Sequence, residues 1–425
     1  MVMGMAPTSR PKLGSRHVGT LALPPLSVLA WRTAVLAVAA VVALAVGRQS
    51  LAVQARRASP EAALRLGSNP ENRLRAAMLK GLQTPKRLAD PQIARDVRAV
   101  LARQPLDAPS LRMLALNAQQ RGRPVEARKY ALLAQSVTRR ETLTQLILAE
   151  DAARAANPRG ALRHIDMALR GTDQGRTVLF GVLNKAMADP RIRGEMALYV
   201  TGGAPWLPDF LDYSVRDGAV GAANTARLLI AAHAERQPGL IKPIEPLLLG
   251  ALVDQREFAL ARGIRGLTRR GQADLTGTAA MTRATFDRQA GPFSWEPLEG
   301  AASGASVTYA KSGQASVSAF ASSGEKDVVL RRTLQLSHGL YRLFERRTAI
   351  SGDATARMRW RLSCLGKTVT QIWQGPEQPL AYQAGGTAGP TIPAGCPAQL
   401  LELSATGGSG PDGVEVTIGG FDLRR

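Results

Sequence analysis

The stretch LALNAQQRGRPVEARKYALLAQ, residues 114–135, aligns without a gap on LAEDAARAANPRGALRHIDMAL, residues 148–169, an offset of 34 residues. Leu114 matches Leu148, Ala115 matches Ala149, Ala118 matches Ala152, Pro124 matches Pro158, Ala127 matches Ala161 and Ala134 matches Ala168. Apolar and small residues recur at helical spacing on both sides of each proline, and proline is favoured at the first position of a helix. The spacing, with its proline and glycine punctuation, therefore reads as stacked helices.

The period and the small-residue pattern resemble the tetratricopeptide repeat, a stack of antiparallel helix pairs. Gly122 stands near the family's turn position, where the second copy has Ala156, and Tyr130 is a partial exception to the absence of the family's large aromatic anchors. Further divergent units fall at 71–104 and 223–267, within a helical region read as 59–288. Its helix starts are marked by Ser59-Pro60-Glu61 and Asn69-Pro70-Glu71, each a capping residue followed by proline and an acid. The segment Pro205-Trp206-Leu207-Pro208 interrupts the array, and Trp206 reads as a core plug at a helix junction, the alternative being a surface anchor. The resemblance implies a concave scaffold that holds a peptide or another protein and does not imply catalysis; the alternative is that these helices only pack against the β domain.

Composition bounds the rest. The 425 residues exceed what one hydrophobic core usually organises. With 55 Lys plus Arg against 33 Asp plus Glu, the formal charge is +22, which favours any polyanion. No zinc spacing, recognition helix or RNA-binding aromatic signature accompanies that charge, so nucleic acid is not the expected partner.

Residues 33–47, TAVLAVAAVVALAVG, carry no charge, and Trp31 precedes them at a position suited to a membrane interface. A transmembrane helix over 31–49 follows. Arg10, Lys12, Arg16 and Arg32 in and beside the basic leader, 1–30, place it in the cytoplasm and export the rest, which makes this an inner-membrane, single-pass chain with a periplasmic bulk. Arg48, Arg56 and Arg57 oppose that orientation. Ala43-Leu44-Ala45 offers the alternative of a cleaved signal peptide, with the same export.

Near residue 290, after which Phe293-Ser294-Trp295 stands, Ser, Thr, Gly and Val rise and short alternating segments begin. We read 290–425 as an antiparallel, jelly-roll-like β-sandwich, with strands at 305–311, 315–321, 327–337, 340–347, 356–365, 368–374, 399–405 and 414–418. The segments LQLSHGLYRL and MRWRLSC resemble the central part of carbohydrate-binding β-sandwiches. The whole layout resembles proteobacterial envelope proteins associated with exopolysaccharide production, in which a Phe-x-Trp element opens the last domain.

Alternation puts Met358, Trp360, Leu362 and Cys364 on one face of a strand and Arg357, Arg359 and Arg361 on the other. If 340–347 pairs with it as a hairpin turning near Ser351 and Gly352, Tyr341 faces Leu362 and Leu343 faces Trp360. Arg342, Phe344 and Arg346 then join the three arginines in one basic face around an aromatic. Such a face suits an acidic polysaccharide through charge-assisted hydrogen bonds and stacking; the alternative is an ordinary solvated basic face. Cys364 and Cys396, the only cysteines, are a disulfide candidate in an exported domain, the alternative being two separate buried thiols. A bridge would tie down the Gly-, Pro- and Thr-rich loop read at 384–395.

His17, His164, His233 and His338 lack metal-ligand spacing, so no metal or cofactor is expected. No nucleophile elbow, phosphate loop or dinucleotide fingerprint is present. Asp353, Glu377 and Glu402 leave a glycosidase pair as the least favoured reading. The expected function is a non-catalytic envelope scaffold whose repeats recruit a protein and whose sandwich contacts polysaccharide or another envelope component. The alternative is a purely structural assembly factor.

Overall fold

The computed structural model describes residues 59–425 except 67–68, 172–174, 269–276, 353–354, 378–380 and 412, together with scattered positions between 39 and 55. The leader 1–30 and most of the span expected at 31–49 lie outside the described residues. Among the described residues no helix is long and apolar enough to cross a membrane. The chain divides into two compact units, Met1–Tyr130 and Ala131–Arg425.

The first unit holds α1 (Pro60–Leu66), α2 (Pro70–Gln83), a 3-10 turn (Pro85–Ala89), α3 (Pro91–Leu101) and α4 (Ala108–Gln120). Asn69, Asp90 and Asp107 cap the last three α-helices, each side chain accepting from a backbone N–H of the first turn. That satisfies donors a helix start otherwise leaves orphaned. Leu74, Leu88, Ile93, Val97, Val100, Met113 and Leu114 form the core.

Helix α5 (Pro124–Val137) runs across the limit between the units. The second unit continues with α6 (Thr142–Arg154), α7 (Pro158–Gly171), α8 (Arg176–Ala186), α9 (Pro190–Gly202), α10 (Leu207–Arg216), α11 (Ala219–Ala231), α12 (Pro238–Ile241), α13 (Glu245–Asp254) and α14 (Phe258–Thr268). Three helix pairs among the described residues turn in the same way, and Gly203, at φ 64° with Ala204 donating to the Tyr199 carbonyl at 3.2 Å, closes α9 alike. Gly122, Ala156 and Arg256 each take a left-handed conformation, at φ 71, 51 and 61°. The next residue in each case donates to the carbonyl five positions back: Arg123 to Ala118, Asn157 to Ala152 and Glu257 to Leu252, all at 2.9 Å. This is a Schellman turn, which closes a helix by satisfying its last carbonyls. Trp206 is buried among Tyr199 and Phe210 and donates to Asp166 Oδ1 at 2.8 Å, a plug at a helix junction.

Among the described residues, ten strands follow in two five-stranded antiparallel sheets. One has the order β1 (Glu296–Pro297), β4 (Lys326–Leu334), β9 (Gln399–Thr406), β6 (Arg357–Leu365), β7 (Val369–Gln374). The other has the order β2 (Ser303–Tyr309), β3 (Ala315–Ala321), β10 (Val414–Arg424), β5 (Gly339–Ser351), β8 (Tyr382–Ile392). Their inner faces share Val317, Leu343, Trp360, Leu403 and Phe421, with Trp360 and Phe421 ring centres 4.1 Å apart. This core also takes in Ala279, Met281 and Phe286, so the sandwich gathers chain from well before residue 290.

Two expectations are corrected here. The hairpin of 340–347 with 356–365 does not form, because β5 runs on to Ser351 and the chain then crosses to the opposite sheet. β5 pairs with β10 and β8, while β6 pairs with β9 and β7. Most of the segment read as a loop at 384–395 is strand β8. Its glycines permit close approach to β5: a Cβ on Gly389 would lie 2.9 Å from the Tyr341 carbonyl oxygen.

The helices and the sandwich are packed together within the second unit. Leu365 and Ala398 belong to the helical core, and Gln335 donates to the Phe258 carbonyl at 3.0 Å. Arg332 is buried at this junction, where its Nε donates to the Phe293 carbonyl at 2.8 Å and its guanidinium lies 5.5 Å over Trp295. Burial, aided by nearby Arg265, pushes the Arg332 guanidinium down to about 9.

Candidate functional site

The outward face of the β1-β4-β9-β6-β7 sheet changes character along its strands. At one end Leu365 and Leu400 meet the helical core. Away from it the face becomes polar and basic, because β6 alternates from Arg357 to Leu362: Met358, Trp360 and Leu362 are buried inside while Arg357, Arg359 and Arg361 point out, half-buried.

Register lines these arginines up with polar partners across the sheet. Lys326, Thr406 and Arg357 make one row; Val328, Ser404 and Arg359 make the next. The third row spans all five strands as Glu296, Arg331, Glu402, Arg361 and Gln374. Opposite charges alternate along it. Arg331 donates to Glu296 at 2.6 Å, and that hydrogen bond raises the Arg331 pKa. Arg361 reaches Glu402 at 2.7 Å and Arg359 reaches Glu377 at 2.7 Å.

A groove of about 170 Å³ runs along this face, lined chiefly by Lys326, Arg357, Arg359, Arg361, Gln374 and Glu377. Arginines at i and i+2 on one strand stand about 6.8 Å apart, a spacing that presents guanidinium forks in series to a chain of acidic groups. Arg359 and Arg361 keep 32 and 42% of their side chains exposed, so each can exchange its internal carboxylate for an external one.

The six residues singled out in the sequence therefore do not meet. Arg357, Arg359 and Arg361 share this groove; Arg342, Phe344 and Arg346 lie on β5, in the other sheet. Sequence reasoning missed Lys326, Gln374, Ser404 and Thr406, which reach the groove only through the register of non-adjacent strands. Of the acids considered for a glycosidase, Glu377 and Glu402 are each held by an arginine, and Asp353 lies outside the described residues. Cys364 and Cys396 are bonded, with Cα atoms 5.7 Å apart. Among the described residues no group of three or more His, Cys, Asp or Glu is placed to hold a metal ion.

A second, apolar groove of about 600 Å³ opens among α6, α7, α8 and α9. Its walls include Leu146, Ala153, Ile165, Val178 and Val182, of which Ala153, Val178 and Val182 are exposed, and Glu150 and Asp189 also line it.

No protein-family model matches the chain, and no curated protein does. Among solved structures, TmCBM61 in complex with β-1,4-galactotriose is similar to part of it, at 16% identity over 31% of this chain and 88% of that one. The TM-score is 0.22, so the likeness carries no argument about ligand or mechanism.

Proposed function

We propose that this chain is a non-catalytic scaffold of the bacterial cell envelope whose β domain contacts an acidic polysaccharide through the Arg357–Arg359–Arg361 groove. The single observation that carries the reading is this row of outward guanidinium groups at regular spacing beside Lys326. Carboxylates of a sugar polymer would replace Glu377 on Arg359 and add bidentate contacts to its neighbours. In this reading the sandwich is of the jelly-roll kind and the helix pairs are tetratricopeptide-like. The apolar groove among α6 to α9 supports a partner-recruiting role, since solenoids expose extended inner faces for binding. Residues 31–49 anchor the chain in the inner membrane with the bulk in the periplasm, possession of exopolysaccharide-assembly partners being the natural context. The Cys364–Cys396 bridge supports an exported placement, because disulfides persist in oxidising compartments.

The experiment is titration of the full chain with polygalacturonate and with neutral dextran of matched length. Binding is expected for the acidic polymer alone, and joint Arg357→Gln and Arg359→Gln should weaken it at this groove by at least about tenfold, since hydrogen bonds to charged groups contribute about 1.5–3 kcal/mol each. It should also be lost at about 0.5 M salt, where exposed charges are screened. Absence of binding at low salt overturns the polysaccharide half and leaves a structural assembly factor. New reducing ends during incubation would instead make the protein a glycosidase. Placement is tested by fusing a reporter active only in the periplasm after residue 290; cytoplasmic activity there rejects the export.

A further inference from the structure

The separation of the two arginine sets by the sandwich has a functional meaning of its own. The outward face of the β2-β3-β10-β5-β8 sheet carries a second basic platform. Register places Arg424 beside Arg342, Asp422 beside Phe344, and Gly420 beside Arg346. Arg424 lies 4.6 Å over the Phe344 ring and pairs with Asp422 at 2.8 Å. Among the described residues no carboxylate is in ion-pair range of Arg342 or Arg346, and Arg346 only touches the Gly419 carbonyl, at 3.4 Å. On the other side of Phe344 the platform is cut low by β8. Gly385 is its register partner, and a Cβ on Gly386, at φ +85°, would meet the ring at 3.2 Å. A half-buried aromatic beside a glycine trough and between arginines offers a stacking surface flanked by anion-binding forks.

The two basic faces point in opposite directions, since the inner faces of the sheets are closed on each other by Trp360, Phe421 and their neighbours. Packed sheets are about 10 Å apart backbone to backbone, so a polymer strand lying in one groove cannot reach the other without turning round an edge of the sandwich. We infer that one β domain binds two separate strands of an acidic polysaccharide, one on Arg357, Arg359 and Arg361 and one on Arg342, Phe344, Arg346 and Arg424, and so cross-links them. This rests on the proposed polysaccharide reading and adds a second site and a bridging role to it.

The test is a two-polymer capture with the full chain. Polygalacturonate fixed on beads is loaded with protein, washed, and offered fluorescent polygalacturonate. The wild type should retain the fluorescent polymer. A variant of the first face (R357Q and R359Q) and one of the second (R342Q, R346Q and R424Q) should each still bind fixed polymer, while retention of the fluorescent polymer falls to background in both. If either variant bridges as well as the wild type, bridging arises from self-association and the two-site inference is overturned. If one variant abolishes all binding and the other changes nothing, a single face is the site and the inference is again overturned. Failure of the wild type to bind fixed polymer at all is a different result and removes the reading on which both rest.

Discussion

Trp360 donates its indole N–H to Glu345 Oε1 at 2.8 Å across the interior of the sandwich, joining a strand of one sheet to a strand of the other. Glu345 is also gripped by Arg347, whose Nε donates at 2.6 Å and whose Nη2 donates at 3.0 Å, and both side chains are fully buried. Arg347 in turn lies over Tyr382 on β8. An isolated charge in that position would be costly, so the pair holds only as a pair. Glu345→Ala should lower stability by about 3–5 kcal/mol by stranding Arg347, whereas joint Glu345→Leu and Arg347→Met should lose clearly less. Urea midpoints of the three proteins decide the matter. Equal losses for single and double variants would show that packing, not the stranded charge, sets the cost.

The Cys364–Cys396 bridge spans a sequence separation of 32 and encloses β7 and β8, two edge strands. On the chain-entropy account, closing such a loop contributes roughly 3–4 kcal/mol by restricting the unfolded chain. Reductant should therefore lower the urea midpoint of the wild type and leave that of Cys364→Ser with Cys396→Ser unchanged. Two freely reactive thiols in denatured, unreduced protein from the envelope would refute the bridge.

In the first unit Arg73 Nε donates to Asp96 Oδ2 at 2.9 Å, and this contact holds the Asp96 carboxyl below its usual range. A carboxylate with a depressed folded pKa adds stability that is present above its unfolded pKa and lost as pH falls through the folded one. Asp96→Asn should thus destabilise this unit at neutral pH and flatten its stability loss on acidification. Unfolding midpoints followed from pH 7 downward provide the measure; parallel curves for both proteins would contradict it.

The helices were legible because their signals are local. Asn69 before Pro70 marks a start that its cap then occupies. Strand β6 was legible for the same reason, as its alternation needs no knowledge of neighbours. Which sheet it joins was not, since Arg357 meets Thr406 and Lys326 only through strands distant in sequence. Strand β8 was hidden by its glycines, whose role appears only against the β5 backbone. The alternation that puts Arg342, Phe344 and Arg346 outside puts Glu345 and Arg347 inside, and two opposite charges at inward positions of one strand announce a buried pair.

The repeated Schellman turn gives the last prediction, because the sequence fills one geometry with three different residues. Gly122 takes the left-handed conformation without steric penalty, whereas Ala156 and Arg256 take it with a Cβ in place. The left-handed region costs a residue with a Cβ about 1–2 kcal/mol, and glycine returns about 0.5–1 kcal/mol of that as extra freedom in the unfolded chain. Ala156→Gly and Arg256→Gly should therefore each stabilise by about 0.5–1 kcal/mol, and Gly122→Ala should destabilise by a similar amount. A Cβ added at Gly122 would meet nothing within 4 Å, so that variant isolates the backbone effect from any clash. Urea midpoints are the readout. If Gly122→Ala is neutral while Ala156→Gly destabilises, the turns are held by their side chains and not by the conformation they share.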